Sequence, residues 1–583
     1  MNYRASNYII PKPSNYIEEE AIFDFGNNSL TTFISEKANN IIDKNFSDTV
    51  SAFLPIKKGN EINSILYLYA DESIDPDSEE YNLKIEPKKI ILTAKSHSGF
   101  LYGMVTLSQL YLQQKYLQKE VHCCTISDKP EFKWRGIMLD VARHMLPIDY
   151  IKQFIDLMSY YKLNSLHLHL TDDQGWRIEI KQYPNLTKIG SWRKETLVGW
   201  QLGYESEEDF LFDNKPYGGY YTQEQLKDLV EYAKARGINI VPEIEMPGHA
   251  TALLAAYPEL ACNKKQNIET ATYWGIFDDI ICPTDEAINF FKNVLDEVCD
   301  IFPSKYIHIG GDEVPKTNWK KCSFVEQLMK KHNIADVEKM QGWFNRQIEE
   351  HLNKKGRLLI GWDEILDGGI SNKACVMSWQ GEKGGIRAAN SGNYVVMSPG
   401  NHSLYWDYKY DNDYCPKNIG RNDNSAPTNK LYDYYPIPDE IDNDKKHFIL
   451  GVQANIWSEY VLNPEQHQYL AFPRMFALAE IAWSEKMNRN WTNFVVRNTL
   501  HYLIITNKFN FNYHIFEPIL IKMNDKYYLY SCVPNSTIYY TTDGSIPNNK
   551  SLKYNNLPID AGTLKLITAR TFVGDKSSKP VKL

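Results

Sequence analysis

The stretch YIHIGGDEVPK, Tyr306 to Lys316, decides how the rest of the chain is read. Tyr306, Ile307 and Ile309 surround His308 in an apolar strand-like run, which drives into two glycines and then into two carboxylates side by side, Asp312 and Glu313. Adjacent like charges at the mouth of an apolar strand are partly desolvated, and holding both there raises the cost of ionising them. The plain structural reading is a helix cap, since an acid after Gly-Gly complements the dipole of a following helix. The other reading is a reactive pair, and the surrounding sequence has to choose between them.

Short apolar runs ending in polar or glycine-rich signals recur through the chain. In order they are GIMLDVAR from Gly136, LNSLHLHLTDD from Leu163, INIVPEIEMPGH from Ile238, YIHIGGDE from Tyr306, RLLIGWDE from Arg357, ACVMSWQG from Ala374, NYVVMSPG from Asn393 and FILGVQANIWSE from Phe448. Segments with helical periodicity lie between several of them, for instance TQEQLKDLVEYAKARG and AINFFKNVLDEVCDIF. Strand then helix, eight times over, predicts a (β/α)8 TIM barrel. The span from Glu131 to Phe511 exceeds the usual barrel length, so insertions are expected around Glu195–Tyr220 and Tyr405–Asp442.

The flanks differ in pattern. Residues 1–130 read as a mixed α+β domain, with SILYLYA and KKIILTA as strands and a helix starting near Ser98. Residues 512–583 alternate with period two around turn residues, as in YYLYSCVPNSTIYYTTDGSIP, and predict a small β-sandwich. The expected fold is therefore a multidomain α/β chain with the barrel at residues 131–511 between two smaller units.

Composition narrows the functional classes. The net charge of -9 is spread along the 583 residues, so no basic stripe is available to neutralise nucleic-acid phosphates. No apolar stretch is long enough to cross a bilayer, and the start MNYRASNYIIPKPSNY has neither an apolar core nor a small-residue cleavage site. Nine cysteines include the vicinal pair Cys123 and Cys124 and no CxxC spacing of the zinc-binding kind. Cys262 and Cys282 bracket a loop that a disulfide could close in an oxidising compartment, or they are two unrelated buried thiols.

In a barrel of this kind the C-terminal strand ends carry the chemistry. Here they read Arg143, Asp172, His249, Asp312 with Glu313, Trp362, Trp379 and Glu459, with Tyr405 and Asp407 in the loop after the seventh strand. Tryptophans beside carboxylates at a barrel mouth suit a sugar, whose ring stacks while its hydroxyls donate hydrogen bonds. A glycosidase ordinarily places two carboxyl groups on opposite sides of the scissile bond. Asp312 and Glu313 are neighbours and cannot easily do that. A substrate bearing its own nucleophile removes the difficulty: a 2-acetamido group attacks the anomeric carbon, Glu313 protonates the leaving oxygen, and Asp312 stabilises the acetamide as positive charge develops.

The chain resembles the family 20 glycoside hydrolases, the β-N-acetylhexosaminidases. The residues that carry the resemblance are RGIMLDVARH at 135, LHLHLTDDQGWRIEI at 166, PEIEMPGHA at 242, HIGGDEV at 308, GWDEIL at 361, SWQG at 378 and GVQANIWSE at 451, in the family's order. The flanking α+β domain and the C-terminal unit marked by YTTDGSIP fit the family's plan as well. The resemblance implies Glu313 as general acid/base, Asp312 as the acetamide-orienting partner, and Tyr405 as donor to the acetamide oxygen. It implies Trp362, Trp379 and Trp457 as walls of the acetamide and ring, Arg143 on the 3- and 4-hydroxyls, and Asp407 and Glu459 on the 4- and 6-hydroxyls. Asp172 and His249 are implied as a relay behind Glu313. The segment LYWDYKYDNDY also offers Asp411 and Asp413 in place of Asp407.

His167 and His169 share one face of their strand at i and i+2 and read as barrel filling. The expected activity is exo-acting, retaining release of terminal β-linked N-acetylhexosamine from a glycan, with no metal, no cofactor and no nucleic-acid partner, by a monomer or homodimer acting in the periplasm, at the cell surface or after secretion. Three other readings stand beside it: a disaccharide-releasing relative of lacto-N-biosidase type, a metal-dependent barrel hydrolase built on His-x-His, and a carbohydrate-binding protein without catalysis.

Overall fold

The computed structural model describes residues 7–26, 28–262, 267–407, 426–523, 526–559 and 567–582. Each of the eight apolar runs forms a strand: β1 (Trp134–Asp140), β2 (Ser165–His169), β3 (Asn239–Glu243), β4 (Tyr306–His308), β5 (Leu358–Trp362), β6 (Cys375–Ser378), β7 (Val395–Met397) and β8 (Ile449–Ile456). They pair in chain order, all parallel, and β8 closes the barrel on β1 with Gly451 opposite Trp134 and Ile456 opposite Leu139. Closure depends on a glycine. A Cβ at Gly451 (φ +150) would lie 1.9 Å from the Trp134 carbonyl oxygen.

Every residue of β1 and β2 is buried, as strands covered on both faces require. The outer helices have one apolar stripe each: in Gln223–Lys234, Leu226, Leu229, Val230 and Ala233 are buried at helical spacing, and the Thr222 hydroxyl caps the start by accepting from Gln225 N–H. Near the mouth the barrel interior stops being aliphatic. His167, Glu243 and His308 are wholly buried there beneath Trp362, which is 1% exposed.

Residues inserted after β2 fold back as the short hairpin Trp192–Arg193 with Tyr217–Gly218. Two buried arginines hold this insertion over the mouth. Arg177 donates to the carbonyls of Ala142, Ser191 and Gly219, and Arg193 donates to those of Arg143 and Gln174. After β7 a two-residue strand, Tyr405–Trp406, pairs with Asn455 and Ile456 of β8, which draws Tyr405 to the rim. Asp411 and Asp413 lie outside the described residues.

The first domain is a seven-stranded mixed sheet with the helix His97–Leu117 on it, capped by the Ser96 hydroxyl. Its last strand, Val121–Asp128, ends in a buried carboxylate that ties it to the barrel. Asp128 accepts from the Lys162 ammonium at 2.9 Å, from the Tyr81 hydroxyl at 2.6 Å and from the Trp483 indole N–H at 2.8 Å. Beyond the barrel, the helix Trp491–Asn507 packs on His97–Leu117. The C-terminal region holds a hairpin, Ile519–Met523 with Lys526–Tyr530, and a second antiparallel sheet centred on Thr568–Val573. Among the described residues no helix is long and apolar enough to cross a membrane.

Lys162 and Asp128 are both fully buried, so removing one partner leaves an uncompensated charge. Lys162→Met is expected to cost about 3–5 kcal/mol, read as a lower denaturation midpoint. Adding Asp128→Asn removes the stranded charge and should recover part of the loss; a single variant that unfolds like the parent chain would refute this anchor.

Candidate active site

The question posed by residues 306–316 is answered at the end of β4. Gly310 (φ +64) and Gly311 (φ +88) turn the chain sharply, and a Cβ on Gly310 would stand 1.7 Å from the Glu245 carboxylate. No other residue fits where the backbone passes so close to a buried acid. Glu313 itself is held at φ 48, and His249, the residue facing it, at φ 45. Left-handed backbone costs a non-glycine residue on the order of 1 kcal/mol or more, and here two such residues meet across one cavity.

That cavity is about 390 Å³ and is lined by Arg143, His249, Asp312, Glu313, Trp362, Trp379, Tyr405, Trp457 and Glu459, among others. These are nine of the eleven residues expected from the sequence. Asp172 lies behind the lining, and Asp407 is buried close enough to Tyr405 and Glu459 that its charge adds to the burial that raises the pKa of both. The aromatic wall is continuous: ring centroids are 5.8 Å apart for Trp362 and Trp457, 5.5 Å for Tyr405 and Trp457, and 5.8 Å for Trp379 and Tyr405.

Behind the two acids runs a chain of imidazoles and carboxylates. His249 Nε2 lies 3.4 Å from Glu313 Oε2 and 3.6 Å from Asp312 Oδ2. On its other side, Nδ1 is 2.8 Å from Asp173 Oδ2 and 3.4 Å from Asp172 Oδ1. Asp173, absent from the residues singled out in the sequence, is thus the nearer partner, and Thr251 fixes it with its N–H and hydroxyl. Asp172 divides its oxygens: Oδ1 faces His249, while Oδ2 takes Arg143 Nη2 at 2.7 Å and His169 Nε2 at 2.8 Å. His169 is therefore more than barrel filling, because its Nδ1 reaches Glu243 at 2.5 Å.

Glu243 is a second residue the sequence reading did not single out. It accepts the Trp362 indole N–H at 2.8 Å, and His167 and His308 lie 3.0 and 2.8 Å from its oxygens. Glu364 does the same for another wall, accepting from Trp379 Nε1 and Gln380 Nε2, each at 2.9 Å. One signal for these positions was present in the sequence: the adjacent acids Asp172 and Asp173 repeat the pattern of Asp312 and Glu313.

Burial penalises every charge at this mouth, and local partners sort the outcome. It opposes ionisation of Asp172, but Arg143 and then His249 hold that carboxyl well below its usual range. Burial also disfavours the His249 imidazolium, yet Asp172 and hydrogen bonds to Asp172, Asp173 and Glu313 raise its pKa well above the usual value. Asp312 is pushed up to about 6 by burial, with Glu243 and Glu313 adding and His249 opposing. Its Oδ1 has no hydrogen-bond partner among the described residues. Glu459 rises to about 7 through burial, opposed by Arg143.

A parallel barrel whose mouth sets a carboxylate pair and a histidine relay inside an aromatic cage defines a glycosidase-type hydrolase. Residues 132–486 match the model of the glycosyl hydrolase family 20 catalytic domain, and residues 6–129 match that of the family's domain 2. The chain belongs to glycosyl hydrolase family 20 and is a hydrolase of O-glycosyl bonds. Residues 529–581 match the Fn3-associated model.

Among its relatives, a beta-hexosaminidase of Porphyromonas gingivalis is 38% identical over 595 residues, spanning 98% of this chain and 74% of the relative. One of Akkermansia muciniphila is 33% identical over 461 residues, spanning 78% of this chain and 89% of the relative. The crystal structure of an exo beta-N-acetylglucosaminidase from Vibrio harveyi, in complex with N-acetylglucosamine, superposes with a TM-score of 0.75 at 33% identity, covering 88% of this chain and 78% of that one.

Asp173→Asn removes a negative partner from His249 Nδ1. The His249 imidazole should then titrate at lower pH by NMR, with the fold unchanged by circular dichroism. An unmoved titration would assign the shift to Asp172 and Glu313.

Proposed function

We propose that this protein is an exo-acting, retaining β-N-acetylhexosaminidase that uses the acetamido group of its own substrate as nucleophile. The observation that carries the reading is the Asp312–Glu313 pair. Two neighbouring residues at one strand end cannot flank a glycosidic bond from opposite faces, while the other described walls of the cavity are the aromatic rings of Trp362, Trp379, Tyr405 and Trp457 and a Glu459 carboxylate that faces Arg143. The membership of family 20 and the beta-hexosaminidase relatives support the same activity.

In this reading the terminal sugar stacks on Trp457, and its acetamido group lies between Trp362, Trp379 and Tyr405. The acetamide oxygen attacks the anomeric carbon as the bond to the leaving oxygen breaks, and Glu313 passes its proton to that oxygen. Asp312 accepts the acetamide N–H and offsets the positive charge of the cyclic oxazolinium; Tyr405 donates to the acetamide oxygen. Water, giving its proton to Glu313, then attacks the same carbon from the vacated face, so configuration is retained. Asp173 and His249 set the charge beside Glu313, and Asp172 holds Arg143 toward the 3- and 4-hydroxyls. Glu459 and Asp407 serve the 4- and 6-hydroxyls. A cavity of about 390 Å³ closed on that side by Arg143 and Glu459 favours release of one ring over a disaccharide.

The test is hydrolysis of aryl β-N-acetylglucosaminide and β-N-acetylgalactosaminide, with a thiazoline mimic of the cyclised acetamide as inhibitor. Glu313→Gln should lower kcat by about 10²–10⁴ on poor leaving groups and less on acidic phenols. Asp312→Asn should lower kcat by about 10²–10³. Because Asp312 acts as the carboxylate and its pKa is raised to about 6, kcat/KM should fall as pH drops below about 6, and Asp312→Asn should remove that limb. Turnover insensitive to the thiazoline would overturn the substrate-assisted step, and folded protein inert toward both glycosides would overturn the activity.

A further inference from the structure

Beyond the barrel mouth, three cysteines from separate segments meet. Cys262 follows the bridge that pairs Ala261 with Ile281; Cys282 stands next on the facing segment, its N–H bonded to the Leu260 carbonyl; Cys322 opens the helix Ser323–Lys331. The Cys282 and Cys322 sulphurs are 4.0 Å apart, and all three sulphurs lie within 4.8 Å of one another. None of the three is joined in a disulfide. Their surroundings are apolar, including Trp319, Val325, Leu328 and Met340, and Cys282 is 4% exposed while Cys262 and Cys322 are half-buried.

The spacing has a specific meaning. Sulphurs joined in a disulfide stand about 2.05 Å apart, whereas thiolates bound at about 2.3 Å to one ion in tetrahedral geometry stand about 3.8 Å apart. A disulfide would also use two of the three and leave the third unexplained. We propose that Cys262, Cys282 and Cys322 form a three-thiolate site for a thiophilic ion of the zinc class, with a water in the fourth position. Binding forms three metal–sulphur bonds, and each thiol releases its proton to solvent. The resulting negative charge faces the start of a nine-residue helix, and Lys320 and Lys321 directly precede Cys322 in the chain. Both features oppose the Cys282 hydrogen bond and the burial that raise the Cys262 thiol.

The consequence is structural. Cys322 lies nine positions beyond Glu313 in the chain, and Trp319 between them donates its indole N–H to the Ile281 carbonyl at 2.9 Å. An ion here would staple the segment leaving the acid pair onto the loop that carries Cys282.

The experiment uses the full chain isolated without reductant and exposed to Cd²⁺ or Zn²⁺ alone. Native mass spectrometry should show one ion per chain, cadmium should add a thiolate-to-metal charge-transfer band, and metal should raise Tm. Cys322→Ser should weaken uptake more than about tenfold, while Cys299→Ala, outside the trio, should leave it unchanged. Because Cys322 is half-buried at a helix start, its substitution leaves the core intact. No uptake, uptake indifferent to Cys322→Ser, or a mass 2 Da low from a disulfide within the trio in the isolated protein would each overturn the proposal.

Discussion

The constraint on which this structure depends is negative charge held out of water. Asp140, Asp172, Asp173, Glu243, Asp312 and Asp407 are all less than a tenth exposed, and most crowd one end of one barrel. Two unit charges 4 Å apart near a protein surface interact by about 4 kcal/mol, so such a group persists only if cations and hydrogen bonds are threaded through it. Arg143 lies within ion-pair distance of Asp140, Asp172 and Glu459 at once. Histidines provide the rest, each set between carboxylates: His169 between Asp172 and Glu243, His249 between the Asp172–Asp173 pair and the Asp312–Glu313 pair.

The same environment separates the acids by state. Asp172 is held ionised against burial by Arg143 and then His249, and Glu243 by the imidazoles of His308, His169 and His167, while burial and then Asp312 keep the Glu245 carboxyl neutral well above its usual range. Burial, with Asp312 and Asp363, pushes Glu364 up to about 8. Groups whose environments drive their pKa values apart are the ones that can divide acid, base and electrostatic duties at a single pH. In the proposed mechanism Glu313 trades a proton with the leaving oxygen and then with water, while Asp312, pushed up to about 6 by burial, has to be ionised.

The rest of the molecule serves to keep this group rigid. Arg177 and Arg193 fasten the long insertion after β2 to carbonyls at the rim, including that of Arg143, so the guanidinium facing the cavity is braced from behind. Tyr405 reaches the same cavity only because its two-residue strand pairs with β8. The first domain is locked to the barrel through Asp128, Lys162 and Trp483, beneath the strands rather than at their reactive ends. Two of the non-glycine residues held at positive φ, Glu313 and His249, stand at the mouth, where neighbouring contacts hold them.

Much of this was legible in the sequence because it is local. Apolar runs of strand length ending in glycine or acid mark the eight strands, and residues at strand ends share one face of a barrel by topology alone, which is why nine of the eleven expected site residues line one cavity. What tertiary structure alone decided are contacts between strands: that Asp173 rather than Asp172 is nearer His249, that His169 bridges two carboxylates, that Glu243 holds the Trp362 indole, and that Cys322 joins Cys262 and Cys282. A residue's neighbours along the chain determine its secondary structure and the face it occupies. Which carboxylate oxygen meets which imidazole nitrogen depends instead on tenths of an ångström of packing between separate strand ends, and no linear pattern encodes that.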